Sequence, residues 1–425
     1  MNNYYKELPE NYEKYYEIDH ASGLKILVMP KKGYTTAYAT FGTKYGSIDT
    51  AFKKSGEGKV ITVPEGTAHF LEHKLFESEE IDAFERFSKT GANANAFTSF
   101  DRTCYLFSCA DNFYENLQTL LDFVQSPYFT QQTVKKEQGI IGQEIKMYDD
   151  SADWVVLFNM LRAMYHNHPV KIDIAGTVET IAQITDKKLY EAYETFCNLH
   201  NMVLCVAGNV EVDKVLQVAD RYLKSARKFD IERVYPTEPE SVVESYIEQT
   251  MPISIPMFCI GYKENYEAAE RTLKEKLETM VLTEVIVGGM SPLYQKLIDD
   301  GLINSNFGIE YFTGHGYSSV IIQGESKDPT AVKQAIDREV ERIRREGIDE
   351  EIFNCVVKEL YGESIMGYNN ISNIAQGLTE SYFGGYGMFD DIEIYRNMTA
   401  QDVQNRLKCE LNPDFSVLSV IKPEA

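Results

Sequence analysis

The chain has 425 residues, 44% hydrophobic and 25% charged, which is typical of a soluble globular protein with two or three compact units. Its formal net charge of −23 argues against nucleic acid and anionic membrane surfaces as partners, because both favour basic patches. No basic region followed by an apolar stretch comes after Met1, and no run of roughly 18 apolar residues occurs, so we expect neither secretion nor membrane spanning. The seven cysteines are scattered and form no CxxC pair, so we expect a reduced, cytoplasmic protein.

The first half of the sequence predicts alternating strands and helices. Residues 24–29 and 35–43 are rich in β-forming residues, and the turn at 31–33 between them predicts a hairpin. Pro64 and Gly66 mark a loop, after which a helix is predicted from Thr67. Further along, the pattern predicts a strand at 95–109, helices at 113–124 and 131–148, and a strand at 202–208.

The second half repeats the order of elements of the first. The repeat consists of a strand at 253–262, a helix at 267–287, a strand pair at 306–324 and an amphipathic helix at 331–345. We therefore predict an α+β fold of two duplicated domains, each a mostly antiparallel sheet covered by helices. A Pro- and Glu-rich stretch indicates a linker at 233–243. It separates an N-terminal domain at 1–232, which contains His69, Glu72 and His73, from a C-terminal domain at 244–425 without such a motif.

The helix that follows Gly66 contains a candidate zinc site. His69 and His73 are four residues apart, so both imidazoles project from one helix face and can bind one Zn²⁺. Glu72, directly before His73, is a candidate general base for a zinc-activated water. The simpler alternative is an exposed polar helix face that binds nothing, but a chain with only seven histidines favours the metal site.

A catalytic zinc needs a third protein ligand, and the predicted helix at 131–148 offers two. Glu137 and Glu144 are about two helical turns apart on one face, and either can reach the metal. A second histidine pair, His166 and His168, has a spacing that suits a helix poorly, and we expect it in a solvated loop.

These residues resemble the pitrilysin or insulinase family of zinc metallopeptidases, which are inverted zincins with an H-x-x-E-H motif. The matching segments are 66–77 (GTAHFLEHKLFE), 95–105 (NAFTSFDRTCY) and 137–145 (EQGIIGQEI). The first half matches throughout, whereas the second half matches by layout only. The chain is most similar to the two-domain bacterial branch related to mitochondrial processing peptidase, and within it to the YmfH-like subgroup.

The resemblance implies one Zn²⁺ per chain, with three protein ligands, a base and a supporting acid. The implied ligands are His69, His73 and Glu144, the general base is Glu72, and Glu137 supports the site from behind the ligands.

The resemblance also implies a substrate-binding strand. In the family, the segment that corresponds to Asn95, Ala96, Phe97 and Thr98 is an edge strand that captures peptide as an added β-strand. The alternative for this segment is an ordinary internal strand.

The second half departs from the family pattern. Active members carry an Arg and a Tyr in a stretch resembling S-R-L-x-x-x-L-R-x-x-x-G-L-x-Y, whereas residues 291–304 are SPLYQKLIDDGLIN and contain neither at those positions. In this branch each chain forms half of a clamshell chamber, so two chains must assemble. We hypothesise a heterodimer with a family member that lacks the zinc motif but retains the Arg and Tyr. A homodimer is the default for an isolated chain.

The sequence therefore predicts a zinc-dependent endopeptidase that hydrolyses small or unfolded peptides in a closed chamber. The first alternative is a peptide-binding or scaffold subunit of a heterodimeric processing or modification system, with weak or no proteolysis alone. Hydrolysis of a non-peptide amide by the same zinc site is a third hypothesis.

Overall fold

The structure, a computed structural model, describes residues 14–56, 58–79, 81–264 and 271–424. The chain divides into two compact units, each with one large sheet. Unit 1 contains the described parts of Met1–Ile145, Asp173–Val234 and Met366–Met388, and unit 2 contains those of Lys146–Ile172, Tyr235–Ile365 and Phe389–Ala425. The predicted division at 233–243 assigns each half of the sequence to one domain. In contrast, unit 1 includes Met366–Met388 from the second half, and unit 2 includes Lys146–Ile172 from the first half.

The first half of the chain supplies nine strands and eight α-helices among the described residues. The strands are β1 (Tyr16–Asp19), β2 (Lys25–Pro30), β3 (Ala37–Thr43), β4 (Ala51–Lys54), β5 (Ile61–Thr62), β6 (Asn93–Thr98), β7 (Thr103–Cys109), β8 (Met202–Gly208) and β9 (Ile231–Arg233). The helices are α1 (Thr67–Leu75), α2 (Ala83–Ser88), α3 (Phe113–Val124), α4 (Gln131–Asp149), α5 (Ala152–Met164), α6 (Val178–Ile181), α7 (Asp186–Phe196) and α8 (Val212–Tyr222).

The second half supplies the remaining elements. The strands are β10 (Tyr246–Met251), β11 (Met257–Lys263), β12 (Gly308–Gly314), β13 (Tyr317–Glu325) and β14 (Ser416–Pro423). The helices are α9 (Leu273–Val287), α10 (Pro292–Asp299), α11 (Pro329–Glu346), α12 (Glu350–Gly367), α13 (Ile371–Gly384), α14 (Asp390–Asn397) and α15 (Ala400–Arg406). The predicted helix at 267–287 is confirmed from residue 273 onward, and residues 267–270 lie outside the described residues. Among the described helices, none combines the length and apolar character that crossing a membrane requires.

The two large sheets share a five-strand topology, to which the sheet of unit 1 adds the edge strand β1. In unit 1 the strand order is β1-β2-β8-β3-β7-β6, and in unit 2 it is β10-β14-β11-β13-β12. Each sheet has one parallel pair, β2 with β8 and β10 with β14, and its other pairs are antiparallel. The predicted α+β fold with two duplicated, mostly antiparallel sheets is confirmed.

Two local strand predictions were wrong. The segments β2 and β3 do not form a hairpin, because the fully buried strand β8 lies between them and pairs with both. The single strand predicted at 95–109 is a hairpin of β6 and β7, closed by a hydrogen bond from the Ser99 amide to the Arg102 carbonyl oxygen at 2.8 Å. Strand propensity located the β-residues in both cases but not their partners.

A helix from the opposite half of the sequence covers each sheet. In unit 1, α13 packs on β8 and β3, and in unit 2, α5 packs on β14 and β11. Glycines permit this close approach: a Cβ on Gly42 of β3 would lie 3.0 Å from Thr379 of α13, and one on Gly261 of β11 would lie 2.4 Å from Met160 of α5. Each glycine pairs with the second residue of the neighbouring central strand, Gly42 with Val203 of β8 and Gly261 with Val417 of β14, so the two helix contacts occupy equivalent positions.

The predicted linker segment at 233–243 is bound within unit 2 by Glu238. Its carboxylate accepts hydrogen bonds from the backbone amides of His166, Asn167 and His168 at 2.7–2.8 Å. The buried Lys263 ammonium donates to the same carboxylate at 2.8 Å. One charged side chain therefore fixes the segment to the strand β11 and to the loop after α5.

His168 is buried rather than solvated as predicted, and it makes the stability of the chain sensitive to acid. Its Nε2 donates to the His315 carbonyl oxygen at 3.0 Å, and its Nδ1 accepts from the Val170 amide at 3.1 Å, so the ring is held neutral. Burial lowers the pKa of His168 to about 4, against the opposing effect of the hydrogen bond to His315. Between this value and the ordinary pKa of about 6.5, the unfolded chain binds more protons, so stability falls as the pH falls.

We expect the replacement His168→Phe to remove this pH dependence. Between pH 7 and pH 5 the wild type should lose about 2 kcal/mol more of its free energy of unfolding than the variant, because only the wild type has this imidazole to protonate. Urea denaturation of both proteins at the two pH values measures the difference. Equal losses in the two proteins would contradict the assignment.

Candidate metal centre

The helix α1 begins at a backbone position that only glycine fits. Gly66 has φ of 82°, and a Cβ at this residue would lie 2.4 Å from the Ala175 carbonyl oxygen. The neighbouring Gly176 also has a positive φ, 75°, and a Cβ on it would lie 2.7 Å from the Glu65 carbonyl oxygen. Two glycines in the left-handed region thus set the start of α1 against the loop at 175–176.

The side chains of His69, His73 and Glu144 converge in unit 1. One ligand atom from each lies within 4.8 Å of the others, and this is the one such group found among the described residues. The Nε2 atom of His69 is 3.6 Å from Oε1 of Glu144, and the Nε2 atom of His73 is 3.5 Å from Oε2. The two histidines come from α1, where their four-residue spacing places them on one face, and the glutamate comes from α4.

This arrangement fits zinc. Tetrahedral coordination with Zn–N and Zn–O bonds of about 2.0–2.1 Å places neighbouring donor atoms about 3.4 Å apart. The two measured nitrogen–oxygen separations, 3.6 and 3.5 Å, are close to that value. Two imidazoles and one carboxylate are also the donor set of catalytic zinc sites with an open fourth position.

Glu137 lies behind His73. The His73 Nδ1 donates to Glu137 Oε1 at 3.0 Å, which leaves the Nε2 lone pair directed to the Glu144 side. Such a carboxylate fixes the ring orientation and tautomer of a metal-binding histidine. The Nδ1 of His69 is buried and has no hydrogen-bond partner among the described residues. Only His73 therefore has this support.

Glu72 is buried on α1 and is oriented by the strand β6. The Thr98 hydroxyl donates a hydrogen bond to Oε2 of Glu72. The spacing of the motif alone does not predict this contact, although it follows once α1 packs on β6. Thr98 was predicted only as part of a substrate-binding strand, and the structure adds its contact with the candidate base.

The charged groups perturb one another's protonation. Burial, and then the charge of His73, lowers the pKa of His69 to about 3. Burial also acts to lower the pKa of His73, but the hydrogen bond to Glu137 and the charges of Glu72 and Glu144 raise it above its ordinary value. Burial raises the pKa of Glu72 despite the hydrogen bond from Thr98. His69 is therefore a neutral donor over the physiological pH range, as metal binding requires.

The segment Asn95, Ala96, Phe97 and Thr98 lies in β6, at the edge of the sheet. β6 pairs with β7 on one side, and no described strand pairs with its other side. Side chains alternate along a strand, so Thr98 faces α1 and Phe97 faces the opposite side of the sheet. The alternative of an internal strand does not fit this position.

Residues 63–178 match the family model described as insulinase (peptidase family M16), and residues 183–360 match the model described as peptidase M16 inactive domain. The chain is similar to the uncharacterized zinc protease YmfH of Bacillus subtilis, with 39% identity over 418 residues that cover 97% of each protein. It also resembles a probable mitochondrial-processing peptidase subunit beta of Arabidopsis thaliana, at 27% identity over 231 residues, covering 52% of this chain and 42% of that protein.

The fold is similar to a crystal structure of a putative M16-like peptidase from Alicyclobacillus acidocaldarius. The TM-score is 0.93 at 35% sequence identity, and the match covers 99% of this chain and 100% of that chain. Together with the sequence match over almost the full length, this likeness settles the family: the chain belongs to the insulinase family of peptidases, M16.

Proposed function

We propose that the protein is a zinc-dependent endopeptidase that hydrolyses small or unfolded peptides. The observation that carries the proposal is the convergence of His69, His73 and Glu144 beside a buried Glu72, with ligand atoms within 4.8 Å of one another. The relative YmfH is itself named a zinc protease. We assign the three converging residues as the ligands of one Zn²⁺ per chain.

The remaining roles follow from the contacts of each residue. Bound zinc would supply a Lewis acid that polarises the peptide carbonyl and lowers the pKa of water. Glu72 accepts a proton from the attacking water and transfers it to the leaving amine. The hydrogen bond from Thr98 keeps the Glu72 carboxylate in one orientation during both transfers. Glu137 holds the His73 ring through Nδ1.

We propose that the substrate binds to the open edge of β6. Backbone hydrogen bonds to Asn95–Thr98 supply affinity without demanding a particular sequence, because every peptide presents the same main chain. This mode requires an extended segment, which folded proteins rarely expose. Small and unfolded peptides are therefore the expected substrates.

We further propose that the active form contains two chains, enclosing the substrate in a chamber. Residues 291–304 carry neither the Arg nor the Tyr of active members at the expected positions, and α10 occupies part of this stretch. A heterodimer with a relative that retains both residues would supply them, and one relative of this chain is named as a subunit. A homodimer would leave these positions unfilled. Cleavage by the purified chain that is equally efficient with and without such a relative would contradict the heterodimer.

A peptide-binding or scaffold subunit with weak proteolysis is the second candidate. The absence of the Arg and Tyr at their expected positions in residues 291–304 keeps this candidate open, and the comparisons do not favour it. Zinc quantification combined with cleavage of a mixed peptide library distinguishes the two functions. The endopeptidase predicts one zinc per chain and internal cuts in many library members. Stoichiometric zinc without cuts, alone and with a partner, would favour the scaffold.

We expect Glu137→Gln to weaken zinc binding about 10–100-fold without abolishing it. The glutamine is isosteric but neutral, so the imidazole of His73 is less firmly oriented and a weaker donor. Competition with a fluorescent zinc chelator measures the affinity. Glu179→Gln, at an exposed position of α6, is a matched control. An affinity equal to that of the control would contradict the role of Glu137.

A further inference from the structure

A cavity of about 240 Å³ lies in unit 1 between β6 and the covering helix α13. Phe97 and Ser99 form its wall on the strand side, and Thr379 and Glu380 form it on the helix side. Because Phe97 points away from the face on which Thr98 meets Glu72, the cavity opens on the opposite face of the sheet. It is separate from the metal centre but borders the same strand.

Two charged side chains line the cavity and do not pair directly with each other. Arg102 uses Nε to donate to Asp101 at 2.9 Å, and among the described residues its two Nη atoms form no hydrogen bond to the protein. Glu380 is exposed, and in the described part of the chain its carboxylate forms no hydrogen bond or ion pair. Both side chains nevertheless border the same cavity. Burial acts to lower the pKa of Arg102, but the charge of Asp101 and then that of Glu380 raise it.

Groups of both charges border the cavity. Arg102, which is paired with Asp101, and Glu380 both belong to its lining. A ligand with a single charge would therefore meet one group of its own sign. The cavity instead offers a donor, Arg102, and an acceptor, Glu380, and Thr40 also lines it.

We propose that this cavity is a specificity subsite for a glutamine side chain of the peptide bound along β6. The amide oxygen would accept from Arg102 and the amide nitrogen would donate to Glu380, so both charged groups gain a partner. A glutamate would meet the Glu380 carboxylate, and a lysine would meet the Arg102 guanidinium. The inference rests on the proposed binding of peptide to β6.

The subsite lies close to the reacting bond. Thr98, which contacts the candidate base, lies between Phe97 and Ser99 in the sequence, and each strand residue advances about 3.3 Å. A substrate side chain that enters the cavity therefore comes from a residue within about two positions of the cleaved bond. We therefore expect a side-chain preference at one such substrate position and little preference at the other positions that bind along β6.

The test is a charge reversal at the exposed Glu380, which makes no internal contact that folding requires. Variants of one unfolded parent peptide carry Gln, Glu or Lys at each position in turn. Fluorescence anisotropy measures their affinities for zinc-loaded Glu72→Gln protein, with and without Glu380→Lys, and wild type is assayed for cleavage of the same peptides. Glu194→Lys, at an exposed site of α7, is the matched control.

At one substrate position we expect a preference for Gln that Glu380→Lys shifts to Glu by about tenfold or more, with no shift in the control. Unchanged preferences in Glu380→Lys, or no peptide binding at all, would overturn the subsite. Cleavage by wild type with unchanged preferences would refute the subsite and leave the endopeptidase standing. A shifted preference without cleavage, both by the chain alone and together with the proposed heterodimer partner, would support the subsite and refute the endopeptidase.

Discussion

Replacing Glu72 by glutamine is expected to lower kcat/KM for peptide hydrolysis at least about 100-fold. The amide cannot accept the proton that the carboxylate removes from water, and positioned proton transfer contributes typically 10²–10⁴-fold to such rates. Glutamine has the same shape, and its carbonyl oxygen can still accept the hydrogen bond from Thr98. The helix and the three proposed ligands should therefore remain in place, and zinc content should stay at one per chain.

Cleavage of a quenched fluorescent peptide by zinc-loaded wild type and variant measures this effect. Glu194→Gln changes a glutamate of the same unit that lies exposed on α7, and it should retain wild-type activity. If wild type and Glu72→Gln hydrolyse the peptide equally, any hydrolysis observed comes from another source. The role of the base, and with it the proposed endopeptidase, would then be lost.

Removing a proposed ligand should have the second large effect. In Glu144→Ala only the two imidazoles of His69 and His73 remain, and Nε2 of each loses the carboxylate oxygen that lies within 3.6 Å. We expect zinc affinity to fall further than the roughly 10–100-fold predicted for the supporting residue Glu137, and hydrolysis to fall with it. Comparing the zinc affinities of Glu144→Ala and Glu137→Gln therefore tests which glutamate binds the metal.

Thermal unfolding provides a readout that does not depend on activity. A ligand that binds only the native state raises the melting temperature, so zinc should stabilise the wild type more than Glu144→Ala at the same zinc concentration. Glu137→Gln should lie between them. If Glu137→Gln instead loses zinc completely while Glu144→Ala retains it, the assignments of the two glutamates must be exchanged.

The sequence predicted the helix α1 and its pair of candidate ligands because their spacing is a local property. Two histidines four residues apart share a helix face wherever that helix packs, and α1 presents both of them as expected. The choice between Glu137 and Glu144 was not local, since both lie on one face of α4 about two turns apart. Spacing left either possible, and the resemblance to the family favoured Glu144, which the structure brings to the Nε2 atoms.

Strand pairing was less predictable than strand location. The hairpin expected of β2 and β3 failed because β8, far along the chain, is buried on both faces and forms a better central strand. Similarly, the apolar stripe of α13 indicates that it buries a face but not which sheet it covers. Only the close fit at Gly42 and Thr379 reveals that partner, and a sequence alone does not give that distance.

The position of α13 bears on the order in which the protein can fold during synthesis. All strands of the unit 1 sheet have left the ribosome once residue 208 is clear of it, yet the helix that covers β8 and β3 comes from Ile371–Gly384. Until then the nascent chain presents an apolar sheet surface to its surroundings. While the second half is translated, α13 has not yet been synthesised and cannot cover this surface, so a chaperone could bind it during this period.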